Sequence, residues 1–132
     1  MGQYYRHESF NHVVGEWYYI MREDQINTSA NTSRITVEFY VCAAHGGKYS
    51  ETYNNTNNTN ATIWINGQQV SYKKPAKFDI RSSKPHGYNN YLGSGSLTVS
   101  HDASGGGTVW VKCHHYCGNT SPHNVYLEGY HS

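Results

Sequence analysis

The stretch Gly95–Tyr116, GSLTVSHDASGGGTVWVKCHHY, decides the fold. Leu97 and Val99 alternate with polar residues on one side, and Val109, Val111 and Cys113 alternate on the other. A period of two is the signature of a half-buried strand, because successive side chains point to opposite faces. Between the two runs stand His101, Asp102, Ala103, Ser104 and three glycines, residues that supply local hydrogen bonds and left-handed backbone. The stretch therefore predicts a β-hairpin. A lone hairpin is marginal in water, so the rest of the chain must supply more strands and a second sheet.

Strand signals recur outward from it. In Arg34–Ala44, Ile35, Val37, Phe39 and Val41 share one face, and Thr36, Glu38, Tyr40 and Cys42 share the other. Ala61–Ile65 alternates into Asn66-Gly67, a strong two-residue hairpin signal, and returns through Gln68–Tyr72. Ile63 and Ile65 then point inward and Trp64 outward. Glu16–Arg22 (EWYYIMR) is aromatic and β-branched, with Trp17, Tyr19 and Met21 on one side, and Val125–Tyr130 reads as a last strand. The connections are Asp24–Ser33, a turn at His45-Gly46-Gly47, a short extended piece over Tyr49–Tyr53, a polar NNTNNTN tract, Arg81–Asn90 and Cys117–Asn124. Pro75 makes Lys73–Ile80 an edge or crossing segment, since proline cannot donate to a central ladder. Seven or eight short strands with no sustained helical period predict an all-β fold, a single antiparallel β-sandwich of Ig-like or jelly-roll topology. Residues 1–15 read as an N-terminal arm or edge strand, and residues 16–132 as the sandwich domain.

Composition narrows the function. The 132 residues carry a net charge of +1 and 14% aromatic residues at a mean hydropathy of −0.77, which suits one ordered, polar domain. The thin run Lys73, Lys74, Lys77 is no electrostatic footprint for nucleic acid, so none is expected as a partner. The start of the chain shows neither a signal peptide nor a membrane span, and three cysteines fit a reducing cytoplasm better than a disulfide framework. One bridge, such as Cys42 to Cys113, is the most they could form. Sequons at Asn27, Asn31, Asn54, Asn57, Asn60 and Asn119 then read as Asn/Thr-rich loops.

The order of Trp-containing strand, Asn/Ser loop, alternating strand, Ile-x-Ile-Asn-Gly hairpin and GSGSLTVSHDASG resembles β-sandwich domains of minor structural and tail-fibre proteins from siphophages and prophages of Gram-positive bacteria. Those domains carry a His-Asn-x-Asp-Gly turn before a strand of alternating valines. The matching positions here are His101, Asp102, Ser104 and Gly105, so the motif's Asn and its Asp are both replaced. The resemblance covers Glu16 to Gly129. It implies a non-enzymatic virion component made in the host cytoplasm, a tail, baseplate or fibre module for assembly or host-surface attachment.

His7 and His12 are five apart on a segment without helical period, which does not fit a zincin helix. Cys113-His114-His115-Tyr116-Cys117 has zinc-ligand types, with His45 or His123 as possible recruits. In an extended strand the two cysteines stand about 13 Å apart and the histidines face opposite sides, so the plainer expectation is a buried Cys113 with exposed histidines and neither metal nor other cofactor. A catalytic triad or phosphate loop finds no support in the spacing.

The aromatics say more. If Ile63, Ile65, Val109 and Val111 are core, then Trp64, Trp110, Lys112, His114, Tyr116 and, on its own strand, Tyr40 face outward. Large exposed rings need an explanation. Three remain open: a saccharide surface, where flat rings stack on pyranoses; an interface with a neighbouring virion protein or a second copy of the chain; and cover by the arm or a second sheet. The alternatives of another kind are a zinc-stabilised domain and a bacterial carbohydrate-binding module unrelated to a virion.

Overall fold

The computed structural model describes residues 4–12, 15–43, 59–80, 89–102, 106–118 and 123–131. These residues include eight strands: β1 Tyr4–His12, β2 Gly15–Asn27, β3 Thr32–Ala43, β4 Thr59–Ile65, β5 Gln68–Lys73, β6 Asn89–Ser100, β7 Val109–Cys117 and β8 Asn124–His131. They form two antiparallel sheets of four, in the orders β1-β2-β3-β6 and β5-β4-β7-β8. The chain is all-β, two sheets packed face to face. Because β2 and β3 are neighbours in one sheet, the strand order differs from the Ig arrangement, which puts its second and third strands in opposite sheets.

The alternation seen in the sequence builds the core. Trp17, Tyr19 and Met21 of β2 and Ile35, Val37, Phe39 and Val41 of β3 are buried against Ile63, Ile65, Val111 and Cys113 of the opposing sheet. After β5 the chain crosses between the sheets through a cis Lys74–Pro75 bond and sends Ala76, Phe78 and Ile80 inward, as Pro75 led one to expect of a crossing segment. Asn90 holds this crossing by accepting from Asp79 N–H and donating to Asp79 and Val41 carbonyls. Along one side of the sandwich β5 meets β6, and along the other β1 meets β8. The first closure is tight. A Cβ on Gly95 would lie 2.6 Å from the carbonyl oxygen of Val70, so only glycine fits there.

Two expectations change. Gly95–Tyr116 is not a hairpin: β6 pairs with β3, β7 pairs with β4 and β8, and the turn between them carries the chain from one sheet to the other. Asp102 still shapes that corner locally, its carboxylate accepting Gly106 N–H while its own N–H bonds the Gly106 carbonyl. The Asn31 side chain donates to the carbonyls of His101 and Asp102, and His101 bonds Ser33, so the corner is anchored to the β2–β3 turn. The second change concerns Asp24–Ser33. β2 runs to Asn27 and β3 begins at Thr32, leaving a short turn closed by the Asn27 side chain, which accepts from Ala30 N–H and Ser29. Polar residues stay in the ladder here through Asp24 opposite Arg34 and Asn27 opposite Thr32, with an irregularity between the two pairs. The readings of His45–Gly47, Tyr49–Tyr53, most of NNTNNTN and residues 81–88 lie outside the described residues.

Candidate functional site

The outer face of β5-β4-β7-β8 gathers five of the six expected site residues. Register sets them in rows: Trp64 beside Lys112 and Glu128, Thr62 beside His114 and Tyr126, Trp110 beside Tyr130, and Asn60 beside Tyr116 and Asn124. Cross-strand pairs on one face come within contact distance, which is why the rings meet. The indole of Trp110 and the ring of Tyr130 stack with centroids 6.1 Å apart and planes 8° apart, and His114 stacks on Tyr126 at 4.4 Å and 13°. Between the two stacks lies the charged row. Lys112 Nζ sits 5.5 Å from the Trp64 ring centroid and 5.6 Å from that of Tyr126. Glu128 accepts from Trp110 Nε1 at 3.0 Å and, at 3.4 Å, from the Tyr130 hydroxyl.

Local structure explains how Trp110 is held. Asn66 and Gly67 take left-handed φ values of 50° and 81°, the type I′ geometry that matches strand twist in a two-residue hairpin. The turn so placed clasps the start of β7: Asn66 N–H donates to the Trp110 carbonyl, and Trp110 N–H donates to the Asn66 side-chain oxygen, each at 2.8 Å. A Cβ at Gly67 would rest 3.6 Å from the Trp110 ring, so the indole lies directly over the turn.

Tyr40 does not join this face. It lies on the outside of the other sheet, stacked on Tyr18 at 5.2 Å and edge-on to Tyr91 at 5.8 Å. Its hydroxyl donates to Glu38, which also forms an ion pair with Arg22. The Arg22 hydrogen bond holds the Glu38 carboxyl below its usual range, while burial and then the Glu38 bond push the Tyr40 hydroxyl up to about 12. Tyr18 donates to Asn89 and Tyr91 to Ser94.

Sequence reasoning missed Tyr72, Tyr126, Glu128 and Tyr130. For β8 the signal was present: Val125, Leu127 and Gly129 alternate inward, so Tyr126, Glu128 and Tyr130 must point out. Tyr72, Tyr126 and Tyr130 are 53%, 57% and 67% exposed.

The inner face of β7 revises the histidine expectation. His114 faces out and bonds Asn124, whereas His115 is fully buried between the sheets. Trp17 Nε1 donates to His115 Nδ1 at 2.9 Å, and Phe78 packs edge-on against its ring. With Nδ1 accepting, the ring proton belongs on Nε2, which has no hydrogen-bond partner. Burial pushes the His115 pKa down to about 3, so the ring is neutral. Cys117 Sγ approaches His115 Nδ1 at 3.3 Å, but among the described residues no three metal-ligating side chains converge. Cys42, Cys113 and Cys117 are buried thiols outside any disulfide. Burial drives Cys113 far up, and burial with the neighbouring Glu16 raises Cys42 to about 11, so neither is an activated thiolate.

Comparison with protein-family models, with curated proteins and with solved structures finds no match to this chain.

Proposed function

We propose that the protein is a non-catalytic adhesion module whose β5-β4-β7-β8 face binds a saccharide. The observation that carries this reading is the aromatic face on which half-buried Trp64 and Trp110 and exposed Tyr126 and Tyr130 are interleaved with Lys112, Glu128, His114 and Asn124. Pyranose rings have apolar C–H faces that stack on flat aromatics, and their hydroxyls need nearby donors and acceptors. Tyrosine and tryptophan supply that area with few rotamers to freeze. The sequence resemblance sets the context: a tail, baseplate or fibre part of a phage of Gram-positive bacteria, working in the virion and touching the host surface.

Retention of purified protein on Gram-positive cell walls, measured beside its oligomeric state, tests the proposal. Wild type should be retained, and Trp64→Ala and Trp110→Ala should be lost from the wall fraction while remaining folded. If wild type is not retained and the two variants lose only self-association, the face is a protein interface and the saccharide reading falls.

A further inference from the structure

Lys112 stands at the centre of the aromatic face. It pairs in register with Glu128, the cross-strand position at which an opposite charge normally forms an ion pair. That ion pair is not made. The Glu128 carboxylate is turned toward Trp110 Nε1 and the Tyr130 hydroxyl, and Lys112 Nζ lies instead near the rings of Trp64 and Tyr126. Among the described residues no carboxylate pairs with Lys112, whereas Arg22 on the other sheet has its Glu38. An ammonium fixed between two rings is held by their quadrupoles and keeps donors available to an incoming acceptor.

Position adds to this. Along an extended strand Trp110 and His114 are about 13 Å apart, with Lys112 midway, so each stack lies within about 7 Å of the cation. A sugar resting on either stack therefore brings its ring substituents to the ammonium. Charge complementarity then chooses the ligand. One unpaired cation beside an already occupied carboxylate suits a single negative charge; a densely charged phosphate polymer would meet Glu128 as well.

We infer that this face selects acidic saccharides, with Lys112 Nζ as the counter-ion for a sugar carboxylate. The inference rests on the saccharide reading and adds the substrate class to it. Trp64 and Tyr126 are positioning residues, aiming the ammonium, and Glu128 orients Trp110.

The test is a glycan array bearing uronic-acid, sialic-acid, phosphorylated and neutral glycans, probed with wild type, Lys112→Gln and Lys112→Arg. The expected result is wild-type binding concentrated on carboxylated glycans, a loss of about fivefold for these in Lys112→Gln, and recovery in Lys112→Arg. Neutral glycans bound equally by all three proteins would overturn the acidic selection and leave saccharide binding standing. Preference for phosphorylated glycans would overturn the carboxylate assignment. No glycan bound by folded wild type would overturn both readings together.

Discussion

On the outer face of β1-β2-β3-β6, Tyr18, Tyr40 and Tyr91 each donate their hydroxyl to a side chain of the same sheet, and Arg22 is paired with Glu38. On the outer face of β5-β4-β7-β8, the hydroxyls of Tyr72 and Tyr126 make no hydrogen bond among the described residues, and Lys112 has rings but no carboxylate. Both faces carry packed aromatic rings. Trp110, Tyr130 and His114 are bonded within their face as well, so the two faces differ at Tyr72, Tyr126 and Lys112, whose polar ends are not used internally. A face whose donors are satisfied contributes to stability and has little left to offer a ligand, and a face with free donors costs nothing in water and can bind. Aromatic exposure alone would not have separated them.

Changes in the shared core should damage both faces at once and mark the upper limit of any effect. Gly95→Val drives a side chain into the Val70 backbone and should cost about 3 kcal/mol, seen as an earlier denaturation midpoint together with loss of wall retention. Acid acts on the same core. The folded-state pKa of His115 lies near 3, below the ordinary value of 6.5, so the unfolded chain binds the proton first. The His115 contribution is complete above pH 6.5 and declines as pH falls toward 3, by about 2 kcal/mol between pH 6.5 and 4.5. His115→Gln should flatten that part of a stability-versus-pH curve, and an unchanged slope would show that another group governs it.

Single-face variants should then part the two surfaces. Trp110→Ala should weaken cell-wall binding at least about tenfold with little change in melting temperature, as removal of a central aromatic anchor does. Glu38→Ala should do the reverse, costing about 1 to 2 kcal/mol by stranding Arg22 and the Tyr40 hydroxyl while binding stays intact. The finest distinction comes from Tyr40→Phe and Tyr126→Phe. The first should lower stability by about 1 kcal/mol, and the second should leave stability within about 0.5 kcal/mol and weaken binding a few-fold. Equal behaviour of these two would erase the contrast between the faces.

Much of this was legible in the chain. The alternation of Ile35, Val37, Phe39 and Val41 and of Ile63 and Ile65 correctly gave the inward residues, and Asn66-Gly67 gave the one turn whose dihedrals the residues dictate. Which sheet an outward residue belongs to was not legible. Period two tells inside from outside, but sheet membership depends on pairing between distant strands, as β3 with β6 and β4 with β7. For that reason Tyr40 shares the outward alternation of Trp64 and Trp110 without sharing their sheet, and the two alternating halves of Gly95–Tyr116 belong to opposite sheets. His115 escaped for a related reason: its inward position follows from the alternation through Val111 and Cys113, but the Trp17 donor that makes its burial tolerable lies 98 positions away.

The corner that carries β6 over to β7 also sets a pace for folding. β1, β2 and β3, the β4–β5 pair and the β7–β8 pair are neighbours in sequence and can zip from their turns. The β3–β6 and β4–β7 ladders, such as Thr36 to Ser96 and Ile63 to Cys113, close loops of tens of residues before any of their contacts can form. Chains dominated by such pairings cross their barrier in roughly milliseconds to seconds rather than microseconds. The aromatic face depends on one of these long-range closures, because β4 and β7 must meet before Trp64 reaches Lys112.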